Sequence, residues 1–142
     1  MSDAGGDAIT AESDGQRVLV TGGCGYIGSA LVPRLLDDAR VSEVVVLDSL
    51  AAGSPAHLAG CVGDRLDFRR GDVREYGAVE SATRGVDAVI HLAAITGAAS
   101  THDRREETFA VNRDGTENVL TAAGKFDVDS VVVASSCNNY GR

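Results

Sequence analysis

The chain has 142 residues, 44% hydrophobic and 24% charged, which fits one soluble domain with a buried core and excludes a fibrous or wholly disordered protein. Its apolar residues are mostly Ala, Val and Leu, with no Trp, which favours a tightly layered α/β core over an aromatic binding surface. Asp and Glu number 21 against 13 Lys and Arg, a net charge of −8, and a chain this negative repels phosphate backbones and argues against a nucleic-acid partner.

Lys125 is the only lysine; the acidic, Ala- and Gly-rich composition fits a salt-adapted protein and a GC-rich genome equally well. Cys24, Cys61 and Cys137 are odd in number and widely spaced, so neither a disulfide framework nor a structural zinc site is expected. No stretch approaches the roughly 20 apolar residues of a membrane span. The first residues carry Asp3, Asp7, Glu12 and Asp14 without a basic stretch, so no signal peptide is read and the cytoplasm is the expected compartment.

Residues Met1 to Gln16 lack periodicity and read as a flexible acidic tail, leaving 17–142 as the folded domain. RVLVTGG is a buried strand ended by glycine. Tyr26 to Ala39 reads as a helix with an apolar stripe at Ile27, Leu31, Leu35 and Leu36, interrupted by Pro33. SEVVVLDSL is a second continuous apolar run, as expected of a strand covered on both faces. Ala51 to Gly63 reads as a loop with one short helical turn. Leu66 to Asp72 is a weaker strand, placed at an edge by Arg69 and Arg70. Glu75 to Arg84 is a helix with Val79 and Ala82 inward, and DAVIHLAA is the fourth strand. Arg104 to Lys125 reads as one long helix burying Phe109, Val111, Val119, Leu120 and Ala123, and SVVVASS is the fifth strand. The alternation predicts a Rossmann-type, doubly wound parallel sheet of strand order 3-2-1-4-5 with helices on both faces.

The most informative segment is T-G-G-C-G-Y-I-G, Thr21 to Gly28, lying directly after a strand and before a helix. In such a turn the first glycine permits the tight bend, the second lets the backbone approach a pyrophosphate, and the third lets helix and strand pack closely. N–H groups at the helix start, aided by its dipole, then face the phosphates. The residues expected to hold a dinucleotide here are Gly22, Gly25, Tyr26, Ile27 and Gly28. A P-loop is excluded, since no Gly-Lys-Ser/Thr follows. Asp48 ends the second strand, where a carboxylate accepts the ribose hydroxyls of NAD and repels the 2′-phosphate of NADP. No arginine stands at Ser49 or Leu50 to take that phosphate, so NAD is the expected cofactor, with Asp48 and Ser49 at its ribose.

With GDV at Gly71 to Val73, HLAA at His91 to Ala94 and ASSCNNYG at Ala134 to Gly141, the chain resembles the extended short-chain dehydrogenases/reductases. The nearest group is the NAD-dependent epimerase/dehydratases of the UDP-galactose 4-epimerase type. The resemblance implies that Asp72 and Val73 contact the adenine, that Leu92, Ala93 and Ala94 line the cofactor, and that Asn112 supports the site. It implies that Ser136 is catalytic, holding the reacting hydroxyl or keto group of the substrate, with Ser135, Cys137 and Asn138 beside it. Asn139 departs from the family, which carries a small apolar residue there. His91, in an apolar strand, reads as a satisfied core histidine. Cys24 sits at a helix start, a place that lowers thiol pKa and favours oxidation, although a functional role for it is not expected.

The family's base is a tyrosine in a Tyr-x-x-x-Lys pair. The only tyrosines here are Tyr26, Tyr76 and Tyr140, and none has a lysine four residues on. The expectation is therefore the N-terminal, NAD-binding portion of a nucleotide-sugar epimerase or dehydratase, inactive alone, with the substrate domain absent. The full-length enzyme would act on a nucleotide sugar and has room in its family for a homodimer. The alternative is a non-catalytic NAD-binding module, regulatory or paired with a second chain.

Overall fold

The computed structural model describes residues 15–97 and 102–136; the tail up to residue 14 and the expectations for Cys137, Asn138, Asn139 and Tyr140 lie outside the described residues. Five strands, β1 (Gln16–Thr21), β2 (Val41–Asp48), β3 (Leu66–Arg70), β4 (Ala88–His91) and β5 (Ser130–Val133), form one sheet in the order β3-β2-β1-β4-β5, every pair parallel. Gln16 opens β1 and donates its N–H to the Arg40 carbonyl at 2.6 Å, so the expected tail runs one residue too far.

The strands are continuous apolar runs because both faces are covered. Leu19, Val45, Leu47 and Val89 point to one face and pack against α2 (Tyr76–Thr83) and the helix Gly115–Lys125. Val18, Val20, Val44 and Val46 point to the other and meet α1 (Tyr26–Asp37) and the 3-10 helix Pro55–Cys61. β3 lies at one edge, as its arginines foretold, and β5 at the other. Val132 and Val133 of β5 are exposed. The strands end earlier than their apolar runs: β3 stops at Arg70, β4 at His91 and β5 at Val133, and Leu92 to Ala94 leave the sheet to line a cleft.

Two helical stripes differ from expectation. The inward face of α1 is Gly28, Val32 and Leu36, while Ile27 is 59% exposed and Leu31 and Leu35 are half-buried. The cause is the closeness of the packing. A Cβ at Gly28 would stand 2.5 Å from Gly23 Cα and 2.6 Å from the Gly22 carbonyl oxygen, so a glycine marks the buried face where a large apolar residue was sought. α1 runs through Pro33 without interruption.

The expected long helix is built as α3 (Arg105–Phe109), a π-helical turn Ala110–Asp114, and α4 (Gly115–Lys125). A π turn takes extra residues and rotates everything after it relative to an ideal α-helix. Val119 and Ala123 are buried as expected and Val111 is partly buried; beyond the turn Ala122 faces inward and Leu120, expected inside, is exposed, and Phe109, just before the turn, is exposed as well. Among the described residues, no helix is long and apolar enough to cross a membrane.

The same chemical change should act with opposite signs at two helical glycines. Gly124 has nothing within 4 Å of an added Cβ, so Gly124→Ala should raise stability by roughly 0.5–1 kcal/mol through backbone entropy. Gly28→Ala gains the same propensity but strikes backbone, and should lower stability by about 2 kcal/mol; urea denaturation of the two variants reads the difference.

Candidate functional site

A cleft of about 250 Å³ opens at the carboxyl ends of the strands, where β1 has β2 on one side and β4 on the other. This reversal of strand order is where open α/β sheets bind ligands. The register sets the walls: Thr21 lies beside Leu47 and His91, and Asp48, one residue further along β2, lies beside Arg70.

The glycine turn forms the floor. Gly22 has φ +72°, a left-handed conformation favouring glycine, and a Cβ there would meet the Ala93 nitrogen at 2.8 Å. Gly23 presses on the Val46 side chain. Gly25 is different: an added Cβ would meet only the Gly22 carbonyl oxygen, at 3.3 Å. It stands at the N-cap of α1 without a side-chain cap, and the first turn holds no acidic residue. The N–H groups at the start of a helix have no intrahelical acceptor and carry the positive end of the dipole, so this end suits an anion. Gly22 and Gly25 line the cleft, and Gly28 does not. Tyr26 and Ile27 also stand outside the lining, and both side chains are exposed, so what they can offer is backbone N–H.

Asp48 holds this floor to the neighbouring loop. One carboxylate oxygen accepts the Cys24 N–H at 2.9 Å and the other accepts the Leu50 N–H at 2.8 Å, and the residue is 8% exposed. Asp48 and Ser49 both line the cleft. From the opposite side His57 Nδ1 donates to the Cys24 carbonyl at 2.9 Å. Cys24 is fully buried, and burial first and the Asp48 charge second push its thiol up to about 11. This corrects the expectation of an acidified, oxidation-prone thiol: the helix start is there, but desolvation and a neighbouring carboxylate outweigh it.

Asp72 and Val73 form a further part of the lining. The Asp72 carboxylate accepts from the Arg74 N–H at 2.9 Å and pairs with its guanidinium at 2.6 Å, which holds the carboxyl below its usual range. Leu92, Ala93 and Ala94 line the far wall, with Ile95 and Thr96 beyond them. Asn112 is outside the lining but grips it: its Oδ1 accepts the Ile95 N–H at 2.7 Å and its Nδ2 donates to the Ile95 carbonyl at 2.9 Å. Ser136 lies in the exposed segment after β5 and is not among the cleft's lining residues.

The sequence offered no signal for Arg74, Arg104 and Glu107, which also line the cleft. Arg104 and Glu107 form an ion pair of 2.5 Å across one helical turn, and neither stands in a glycine- or strand-based motif. A second hollow, about 380 Å³, lies around Phe109 between Arg105, Thr108, Asn112 and Arg113. It contains neither the glycine turn nor a carboxylate, so the chemistry converges on the first.

Residues 18–142 match the model of the NAD dependent epimerase/dehydratase family. The chain is 38% identical over 135 residues to a 3 beta-hydroxysteroid dehydrogenase/Delta 5→4-isomerase of Mycobacterium tuberculosis, covering 92% of this chain and 34% of that protein. Among solved structures it is similar to a dTDP-glucose 4,6-dehydratase from Streptomyces venezuelae with NAD bound (TM-score 0.77, 40% identity, 81% of this chain and 38% of that one). It is likewise similar to a UDP-glucose 4-epimerase of Thermus thermophilus in complex with NAD (TM-score 0.75, 38% identity, 84% of this chain and 37% of that one). The chain thus spans little more than a third of the length of these proteins.

Asp48→Ala leaves the buried Cys24 amide and the partly buried Leu50 amide without their acceptor and should destabilise the fold by about 3 kcal/mol in chemical denaturation. With its thiol near 11, Cys24 has about one thiolate per thousand at about pH 8. Mass-spectrometric mapping after brief thiol labelling should find half-buried Cys61 modified and Cys24 untouched until denaturant is added.

Proposed function

The chain belongs to the NAD dependent epimerase/dehydratase family, and on that premise we propose that its cleft binds NAD as the coenzyme half of a nucleotide-sugar epimerase or dehydratase. The observation that carries this reading is the meeting, in one cleft, of an uncapped helix start behind Gly22 and Gly25 with the buried carboxylate of Asp48. The fit is in the backbone: Gly25 leaves open the space that any side chain would begin to fill.

The amides of Tyr26 and Ile27 would face the pyrophosphate, with Gly25, whose own N–H donates to the Gly22 carbonyl at 3.1 Å, leaving the approach open and Gly28 keeping α1 close enough to aim them. Asp48 and Ser49 would meet the adenosine ribose. Asp72 and Val73 would border the adenine, and Leu92, Ala93 and Ala94 would follow the cofactor along the other wall. Asn112 would keep that wall in place through Ile95. Ser136 would hold a hydroxyl of the sugar. NAD, when bound, supplies a hydride acceptor that returns the hydride to the same substrate. Two relatives whose names are those of sugar-nucleotide enzymes favour the nucleotide sugar as substrate class.

The sequence contains no Tyr-x-x-x-Lys pair, so this chain by itself would bind NAD without turning over a sugar nucleotide, and it would work in the cytoplasm, where free thiols stay reduced. Calorimetric titration should show NAD binding, and NADP binding weaker by about tenfold or more, because Asp48 stands where the extra phosphate would come. Gly25→Ala should weaken NAD by about tenfold or more while its melting curve stays close to that of the parent chain. A folded chain that takes up no NAD would sink the reading.

A further inference from the structure

His91 is 3% exposed, and both of its ring nitrogens are engaged. On one side Nδ1 lies 2.6 Å from Thr21 Oγ1 of β1. On the other, Nε2 lies 2.9 Å from Thr116 Oγ1 of α4. The Thr116 hydroxyl fixes the direction of these bonds, since its one hydrogen goes to the Asn112 carbonyl at 2.7 Å and Nε2 must therefore donate to it. Nδ1 then accepts from Thr21 Oγ1, which also receives the Ala93 amide at 3.3 Å and a share of the Leu92 amide, at 3.2 Å against 3.0 Å to the Thr21 carbonyl. The ring proton is thus on Nε2. The Asn112 side chain in turn holds both the N–H and the carbonyl of Ile95.

One neutral imidazole thus sits between the two supports of the cleft wall: Thr21 at Leu92 and Ala93, and Asn112 at Ile95. We propose that His91 is a positioning residue for the dinucleotide, holding the wall Leu92–Ile95 only while its ring is neutral, so that proton uptake loosens cofactor binding. The inference rests on the NAD reading of the cleft.

The chemistry of a second ring proton supports it. A proton on Nδ1 would face an oxygen already accepting from two amides, and the Thr21 hydrogen would be left without an acceptor. The ring faces hydroxyls, Thr21 from β1 and Thr116 from α4, and burial alone lowers its pKa from the ordinary 6.5, with no charged side chain contributing. The sign follows. The unfolded chain takes up the proton first, so the stabilising arrangement is complete above the ordinary histidine value and is lost as pH falls through the lower folded one.

The test uses calorimetric NAD affinity of the whole chain at about pH 8 and about pH 5.5, with circular dichroism confirming that it stays folded. The expected result is a lower affinity at the acid pH, by less than the about tenfold that an imidazole at its ordinary value would give, because burial lowers this one. His91→Gln, which accepts at one end of its amide and donates at the other, should bind at the higher pH and lose most of that dependence. Thr116→Val, which removes the acceptor of the ring proton, should be weaker by several-fold already at the higher pH; it serves if the glutamine variant does not fold. Equal pH dependence in His91→Gln and the parent, or Thr116→Val binding like the parent at both pH values, overturns the role of His91. Nitrogen-15 spectra of the imidazole and the exchange rates of the Leu92 and Ala93 amides give a readout without cofactor. A neutral ring protonated on Nε2, with amides whose protection relative to the intrinsic base-catalysed exchange rate falls on acidification, is expected even if NAD does not bind. The opposite tautomer would overturn the inference and leave the NAD reading standing.

Discussion

The cleft depends on one buried carboxylate. Asp48 accepts a hydrogen bond from the turn after β1 and another from the loop after β2, so the two segments that shape the floor share a single anchor. The pairing of the strands decides that it can. Thr21 is opposite Leu47, and the Gly22 N–H donates to the Leu47 carbonyl at 2.8 Å, so the turn leaves the sheet one residue before Asp48 does. The carboxylate then stands level with the Cys24 amide. A one-residue slip of β2 would send Asp48 to the other face and bring Leu47 or Ser49 in its place, at the cost of both cores. Hydrophobic burial of Val44 to Leu47 on alternating faces thus sets the position of a polar group it never touches. The same group also accounts for the quiet thiol beside it, since its charge adds to burial in opposing a thiolate at Cys24.

The two remaining walls are held by different means. At the far wall the supports are neutral and enclosed: Thr21, His91, Thr116 and Asn112 pass hydrogens in one direction, and each misplacement would leave a buried donor or acceptor unpaired. At the rim Asp72 and Arg74 form a partly exposed ion pair, which solvent screens and which contributes little to stability. The cleft is therefore stiff along the glycine turn and β4 and softer at the rim of Arg74, Arg104 and Glu107. Stiffness lies where a phosphate would need oriented amides, since donors fixed beforehand need no reordering when a ligand arrives.

Much of this was legible in the sequence, for reasons that also explain the rest. Continuous apolar runs between glycine-marked turns leave few ways to build a sheet, and the strand order followed. The spacing of Gly22, Gly25 and Gly28 after a strand, with Asp48 after the next, located the floor of the cleft. Phase within helices was less legible. In α1 the inward face carries a glycine, which a search for large apolar residues passes over, so Ile27 was placed inside and Val32 was missed. In the second half a π turn at Ala110–Asp114 breaks the period on which Phe109 and Leu120 were assigned to the core. Hydrogen bonds across long separations were beyond reach. Nothing near Asn112 in the chain points to Ile95, and nothing near His91 points to Thr21 or Thr116, because each partner arrives through the parallel crossovers.

The glycines of the motif divide their labour, and the division separates folding from binding. Gly22 is committed to its left-handed backbone and to Ala93, Gly23 to Val46, and Gly28 to the backbone of the turn itself. These three are demanded by the fold whether or not anything binds. Gly25 is the least constrained: an added Cβ would meet one atom, the Gly22 carbonyl oxygen at 3.3 Å, at a backbone conformation (φ −76°, ψ −176°) open to other residues. Its lack of a side chain relieves one tight contact, and it lies where the helix dipole emerges, next to amides without intrahelical partners. The packing demand is thus heaviest at Gly22 and Gly28 and lightest at Gly25, which lies at the mouth of the cleft where an anion would be best received. Close packing of α1 on the turn, which Gly28 permits, is what brings Gly25 to that mouth.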